Sequence, residues 1–153
     1  MLKGNANFYL GNYDAAIKNY QIALQLDPAF TDAENNLQKA LQAKKETEKT
    51  AGITKIENEA IAASRNGNYE DAIRIFNSLL EKNPNEPKYH FFIGTTHASS
   101  GNMEAALESF IKAESLDDGT DVKNSNRMIS AIIDTYTRLG DEASANAYRT
   151  KLK

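Results

Sequence analysis

The stretch Gly67-Asn68-Tyr69-Glu70-Asp71-Ala72-Ile73 decides the fold, because it is written three times. It stands earlier as Gly11-Asn12-Tyr13-Asp14-Ala15-Ala16-Ile17 and later, more loosely, as Gly101-Asn102-Met103-Glu104-Ala105-Ala106-Leu107. A weaker fourth copy is Gly140-Asp141-Glu142-Ala143-Ser144-Ala145. Gly67 and Gly101 lie 34 residues apart. A fixed period of this size marks stacked supersecondary units, each too small to bury its own apolar face.

Each unit reads helix–turn–helix. In residues 53–86, Ile53, Ile56, Ala60 and Ala63 recur at helical spacing. Asn66-Gly67 ends that helix, since glycine takes the left-handed conformation that closes a C-terminus. Asn68 is expected to cap the next helix with its side chain. Glu70 and Asp71 suit the positive end of the helix dipole. Ala72, Ile73, Phe76, Leu79 and Leu80 continue the apolar stripe until Asn83-Pro84 stops it. Residues 87–120 repeat the layout, with Pro87 opening a helix and Gly94 and Ala106 marking a close helix crossing.

This pattern resembles the tetratricopeptide repeat family, a helix–turn–helix of 34 residues with small, aromatic and proline positions at fixed register. With the turn glycine aligned, the first unit supplies Gly4, Ala16, Tyr20, Ala23 and Pro28 at those positions. The second supplies Ala60, Ala72, Phe76, Leu79 and Pro84. The third supplies Gly94, Ala106, Phe110 and Ala113, with Asp118 departing from the proline. The resemblance implies an all-α fold: a right-handed superhelical array of antiparallel helix pairs, an α-solenoid of about three full repeats plus a partial unit.

The period breaks twice. Gly11 and Gly67 are 56 residues apart, so one second helix is missing and 30–50 reads as a solitary first helix. Either that helix caps a first array, with a joint near Ala51-Gly52, or one long helix serves both arrays. The joint is the preferred reading, dividing the chain into 1–50 and 51–153. Gly101 and Gly140 are 39 apart, and the excess falls in the loop-forming run Asp117-Asp118-Gly119-Thr120-Asp121. Only three residues precede Gly4, so the first helix is a turn shorter than its siblings.

Chemistry is sparse. The net charge of −3 and the lack of a basic stripe argue against nucleic acid as a partner. Cysteine is absent, which removes disulfides and thiolate metal sites. No run of apolar residues is long enough to span a membrane. Met1-Leu2-Lys3 is not followed by an apolar segment, so no signal peptide is expected; this favours the cytoplasm and leaves the compartment unknown. His90 and His97 share a helix face but lack convergent ligands, and read as packing residues rather than a metal site. The 117–121 run lacks the alternating ligands of a calcium loop. No cofactor, metal or catalytic residue is expected, and the chain is not expected to be an enzyme.

The resemblance implies that first helices line a concave groove. Its register points Asn5, Phe8, Asn35, Lys39, Glu57, Ile61, Lys88, Phe91, Thr95 and Arg127 into that groove. A peptide or helical segment of a protein partner is the expected ligand, with Phe91 either anchoring it or packing on the preceding repeat. Asn5 and Asn36 match the two asparagines of a carboxylate clamp found in one branch of the family. Its cations are missing, so chaperone-tail binding is not expected. The alternatives are a self-associating assembly module, giving a homodimer, and an accessory fragment of a larger protein.

Overall fold

The computed structural model describes residues 1–152; Lys153, the last residue of the expected second array, lies outside them. Among the described residues there are eight helices and no strand. They are α1 (Leu2–Tyr9), α2 (Tyr13–Leu26), α3 (Thr31–Arg65), α4 (Tyr69–Leu80), α5 (Pro87–Ser99), α6 (Met103–Leu116), α7 (Val122–Arg138) and α8 (Glu142–Arg149). The chain divides into two compact units, Met1–Thr54 and Lys55–Lys153.

The template glycines do what their positions require. Gly11, Gly67, Gly101 and Gly140 all have φ between +75° and +87°, the left-handed region that glycine enters without steric cost. The residue after each glycine is an N-cap, but the caps differ. Asn102 and Asp141 accept hydrogen bonds from the backbone N–H of Ala105 and Ser144. Asn68 makes no such bond, contrary to expectation. In the long loop, Asp121 caps α7 through the N–H of Asn124, while Asp118 accepts from the N–H and hydroxyl of Thr120.

The joint expected at Ala51-Gly52 is replaced by helix: α3 runs unbroken for 35 residues. A single glycine costs only about 1 kcal/mol in a helix interior, too little to stop one. Its polar stretch is held by contacts one turn apart. Gln42 donates to Glu46 at 3.1 Å, Lys44 pairs with Glu48 at 3.6 Å, and the hydroxyls of Thr47 and Thr50 bond back to Ala43 and Glu46 carbonyls.

In the first unit the core is small: Ala16, Tyr20 and Ala40, with Phe8, Ile17 and Leu37 packed around them. The backbone of Gly4 is pressed against Tyr20, so that a Cβ there would lie 2.6 Å from the ring. In the second unit the equivalent Gly94 meets Phe110 at the same 2.6 Å. Glycine in the first helix therefore seats the aromatic of the second, rather than simply admitting a small residue such as Ala106. Phe110 joins Phe91, Ala106, Ala113, Met128 and Ile132 in one buried cluster. A second aromatic layer lies alongside, with Phe76 stacked on Phe92 at 5.3 Å and beside Tyr89 at 6.4 Å.

Candidate functional site

In the second unit, first helices contact first helices through polar side chains. Glu57 of α3 accepts a hydrogen bond from the Tyr89 hydroxyl of α5 at 2.7 Å and pairs with Lys88 at 2.8 Å. Two turns along both helices, the Thr96 hydroxyl donates to the Ser64 hydroxyl at 3.1 Å. Glu57 to Ser64 and Tyr89 to Thr96 are equal steps in the same direction, so this part of α3 and α5 run parallel. Burial would raise the pKa of Glu57, but the bonds from Lys88 and Tyr89 outweigh it and hold the carboxyl below its ordinary range. Burial, reinforced by the Glu57 carboxylate, pushes the Tyr89 phenol well above its ordinary value.

The other expected groove residues of this unit divide. Phe91 is only 7% exposed and packs at 5.4 Å on Phe110, with the Arg127 guanidinium 4.8 Å above its ring. It packs, but on α6 and α7 rather than on the preceding repeat as expected, and does not offer a free aromatic anchor. Ile61 and Thr95 are half-buried, and the Thr95 hydroxyl is committed to the Phe92 carbonyl of its own helix. The structure thus gathers two pairs, Glu57 with Lys88 and Phe91 with Arg127.

In the first unit, Asn5, Phe8 and Lys39 come together with Tyr9, Tyr20 and Asn36 around a cavity of about 130 Å³. Asn35 is exposed on α3 and does not line it; Asn36, one residue on, does. The Tyr20 hydroxyl donates to Oδ1 of Asn5 at 2.9 Å, and Nδ2 of Asn36 approaches the same oxygen at 3.5 Å. Phe8 is half-buried against the unit's core and makes an edge contact with Tyr13 at 5.7 Å. Sequence reasoning missed Tyr89 and Thr96. The signal for them is a recurring separation of 31 or 32 residues between contacting first-helix positions, seen in Asn5–Asn36, Glu57–Lys88, Glu57–Tyr89 and Ser64–Thr96.

His90 and His97 lie half-buried on α5, and His90 Nε2 is 3.4 Å from the Pro84 carbonyl. Among the described residues no group of three His, Asp or Glu is placed to hold a metal ion. Nor is any helix there long and apolar enough to cross a membrane.

Tetratricopeptide repeat profiles match residues 1–30 and 58–119, together more than half of the chain. The chain belongs to the tetratricopeptide repeat family. It is 30% identical over 91 residues to mouse tetratricopeptide repeat protein 16, a match spanning 60% of this chain and 11% of that protein's length. A crystal structure of MamA superposes with a TM-score of 0.57 at 20% identity, covering 97% of this chain and 91% of that one. A thermophilic tetratricopeptide repeat protein of Thermus thermophilus gives 0.53 at 22% identity, covering 97% and 86%. At these identities the likeness establishes the fold alone: all-α, built from tetratricopeptide helix pairs. That fold is a general protein–protein interaction scaffold.

Proposed function

We propose that this chain is a non-catalytic interaction scaffold that takes a peptide or helical segment of a partner protein against the first-helix faces of its units. One observation carries the reading. In the first unit, Asn5 Oδ1 is occupied by Tyr20 and Asn36, which turns Nδ2 of Asn5 and Oδ1 of Asn36 into an unused donor and acceptor beside one cavity. A donor and an acceptor side by side are what a peptide group needs. At about 130 Å³ the cavity is well below the roughly 300–1,000 Å³ of a small-molecule pocket, and it suits one residue of a longer ligand. Lys39 and Tyr9 at its edge add a cation and an exposed aromatic. In the second unit, the half-exposed Lys88 ammonium and the Arg127 guanidinium supply further rim contacts, and rim charges steer encounter more than they add affinity.

A peptide-library selection against the immobilised chain tests this. Enriched peptides that bind the parent, and bind an Asn5→Ala, Asn36→Ala variant at least about tenfold more weakly, a change of roughly 1.4 kcal/mol, support it. No enrichment, or enrichment indifferent to those substitutions, overturns it.

A further inference from the structure

Many of the chain's charges serve its helices. Arg74 pairs with Asp71 at 2.7 Å, Arg138 with Asp134 at 3.0 Å and Arg149 with Glu142 at 3.3 Å, each on its own helix. The helices α2, α3, α4, α6 and α8 each carry an acidic residue in the first turn, where the helix dipole favours negative charge.

The start of α7 departs from this pattern. Its first turn holds no acidic residue and contains Lys123 instead. Arg127 follows one turn later on the same face, and like charges four residues apart on a helix repel. Both side chains are exposed, and among the described residues neither forms an ion pair. The carboxylates nearest in sequence are engaged elsewhere: Asp117 with the Ser125 hydroxyl, Asp118 with Thr120 and Asp121 with Asn124. On the facing helices, Glu57 is matched by Lys88 at 2.8 Å. Lys123 and Arg127 therefore add no charge pair to the fold, and they work against both the dipole and each other. Departures from local stability rules are expected at functional surfaces.

Arg127 is nonetheless held in place, with its guanidinium 4.8 Å from the centre of the Phe91 ring. A guanidinium already positioned loses little freedom on binding a carboxylate, which it meets with two parallel hydrogen bonds.

We infer that Arg127, seated on Phe91 and supported by Lys123, recognises an acidic side chain of the partner segment. This recognition rests on the peptide binding proposed above and gives the partner its chemistry: an acidic stretch of protein. A side chain meets Arg127 rather than a chain end, because Thr95 continues the same face one turn beyond Phe91 and a bound segment runs on past it. Since Glu57 already cancels Lys88, Arg127 and Lys123 are the uncancelled cations of this face. A basic segment meets them in repulsion, so the patch also selects against basic partners.

Peptides enriched on the immobilised full chain supply the probe. They are aligned, and one is titrated calorimetrically against the parent and its variants. An Asp or Glu is expected at one shared position. Replacing it by Asn or Gln raises the dissociation constant on the parent at least about tenfold. Arg127→Gln raises it as much for the acidic peptide and adds nothing for the amide peptide. Arg127→Lys, which keeps the charge and lacks the fork, recovers only part of the affinity. Arg74→Gln, on the second helix α4, changes nothing. Circular dichroism of Arg127→Gln is expected to match the parent, because the side chain is exposed. Binding that depends instead on the peptide's free C-terminal carboxylate, and is lost on amidation, overturns the inference. So do peptides that need Asn5 and Asn36 yet share no acidic position or are indifferent to Arg127→Gln, and that result leaves the proposed function standing. Failure to enrich any peptide removes both.

Discussion

The two units begin from one template and end with unequal cores. In both, a first-helix glycine is pressed against a second-helix aromatic: Gly4 on Tyr20, and Gly94 on Phe110. In the second unit neighbours then add Phe76 on Phe92 and Phe91 on Phe110, and α7 brings Met128 and Ile132 into the same cluster. The first unit has Tyr20 with Phe8, Ile17 and Leu37 around it, and leaves Leu2 and Leu26 in solvent. The template fixes how a helix pair closes. The stability of each pair is set by what its neighbours lay upon it, as the near-additive energetics of repeat arrays require.

The contrast can be broken by removing the shared aromatic. Phe110→Ala is expected to cost about 3–5 kcal/mol, because a 3% exposed ring leaves a cavity that α5, α6 and α7 cannot close together. Chemical denaturation measures it, and a loss under about 1 kcal/mol would show that the second unit's cluster is not its main support. Ala72→Leu, at a fully buried position on α4, is expected to cost on the order of 1–3 kcal/mol by overpacking. An unchanged melting temperature would contradict the register.

The paired glycines give a finer test. Gly94→Ala drives a Cβ into Phe110, and the roughly 1 kcal/mol that alanine gains in helix propensity does not offset the clash. Gly4→Ala meets Tyr20 at the same distance, but α1 is only eight residues long and shifts more readily than the thirteen-residue α5. The expected melting-temperature loss is larger for Gly94→Ala; equal losses would mean that both helices are held equally firmly.

The smallest effect concerns Glu57. Its carboxyl is depressed in the folded chain, so its contribution is present above the unfolded value of about 4.3 and is lost as pH falls through the folded value. Glu57→Gln is expected to flatten the decline in melting temperature below about pH 4.3. An acid-side decline identical to that of the parent would remove the Lys88–Glu57–Tyr89 cluster from the stability of the second unit.

Much of the fold was legible because the turn glycines, buried alanines and second-helix aromatics each answer a local steric demand that repeats. The continuity of α3 was not, because residues 44–52 contain neither a strong breaker nor an apolar stripe, and one glycine cannot decide between helix and joint. For the candidate site, the cavity that Asn5 and Lys39 line and the Glu57–Lys88 pair come from the structure; register named those four residues only as groove positions. It did not separate Phe91 as groove from Phe91 as core, since that depends on how closely α7 approaches, and the five extra residues before α7 hide its register. The Tyr89 and Thr96 bonds were hidden for a related reason: they join residues of parallel helices far apart in the chain, where no helical periodicity links them.

Recognition at the first-helix faces is tested most directly by titrating the isotope-labelled chain with a selected peptide and following backbone amide shifts by NMR. The expected perturbations centre on Asn5, Asn36 and Lys39, with Lys88 and Thr95 in the second unit, and leave the second-helix residues Glu70, Arg74 and Glu108 unmoved. Shifts concentrated on those second-helix residues, with Asn36 and Lys39 unmoved, would contradict a first-helix binding face.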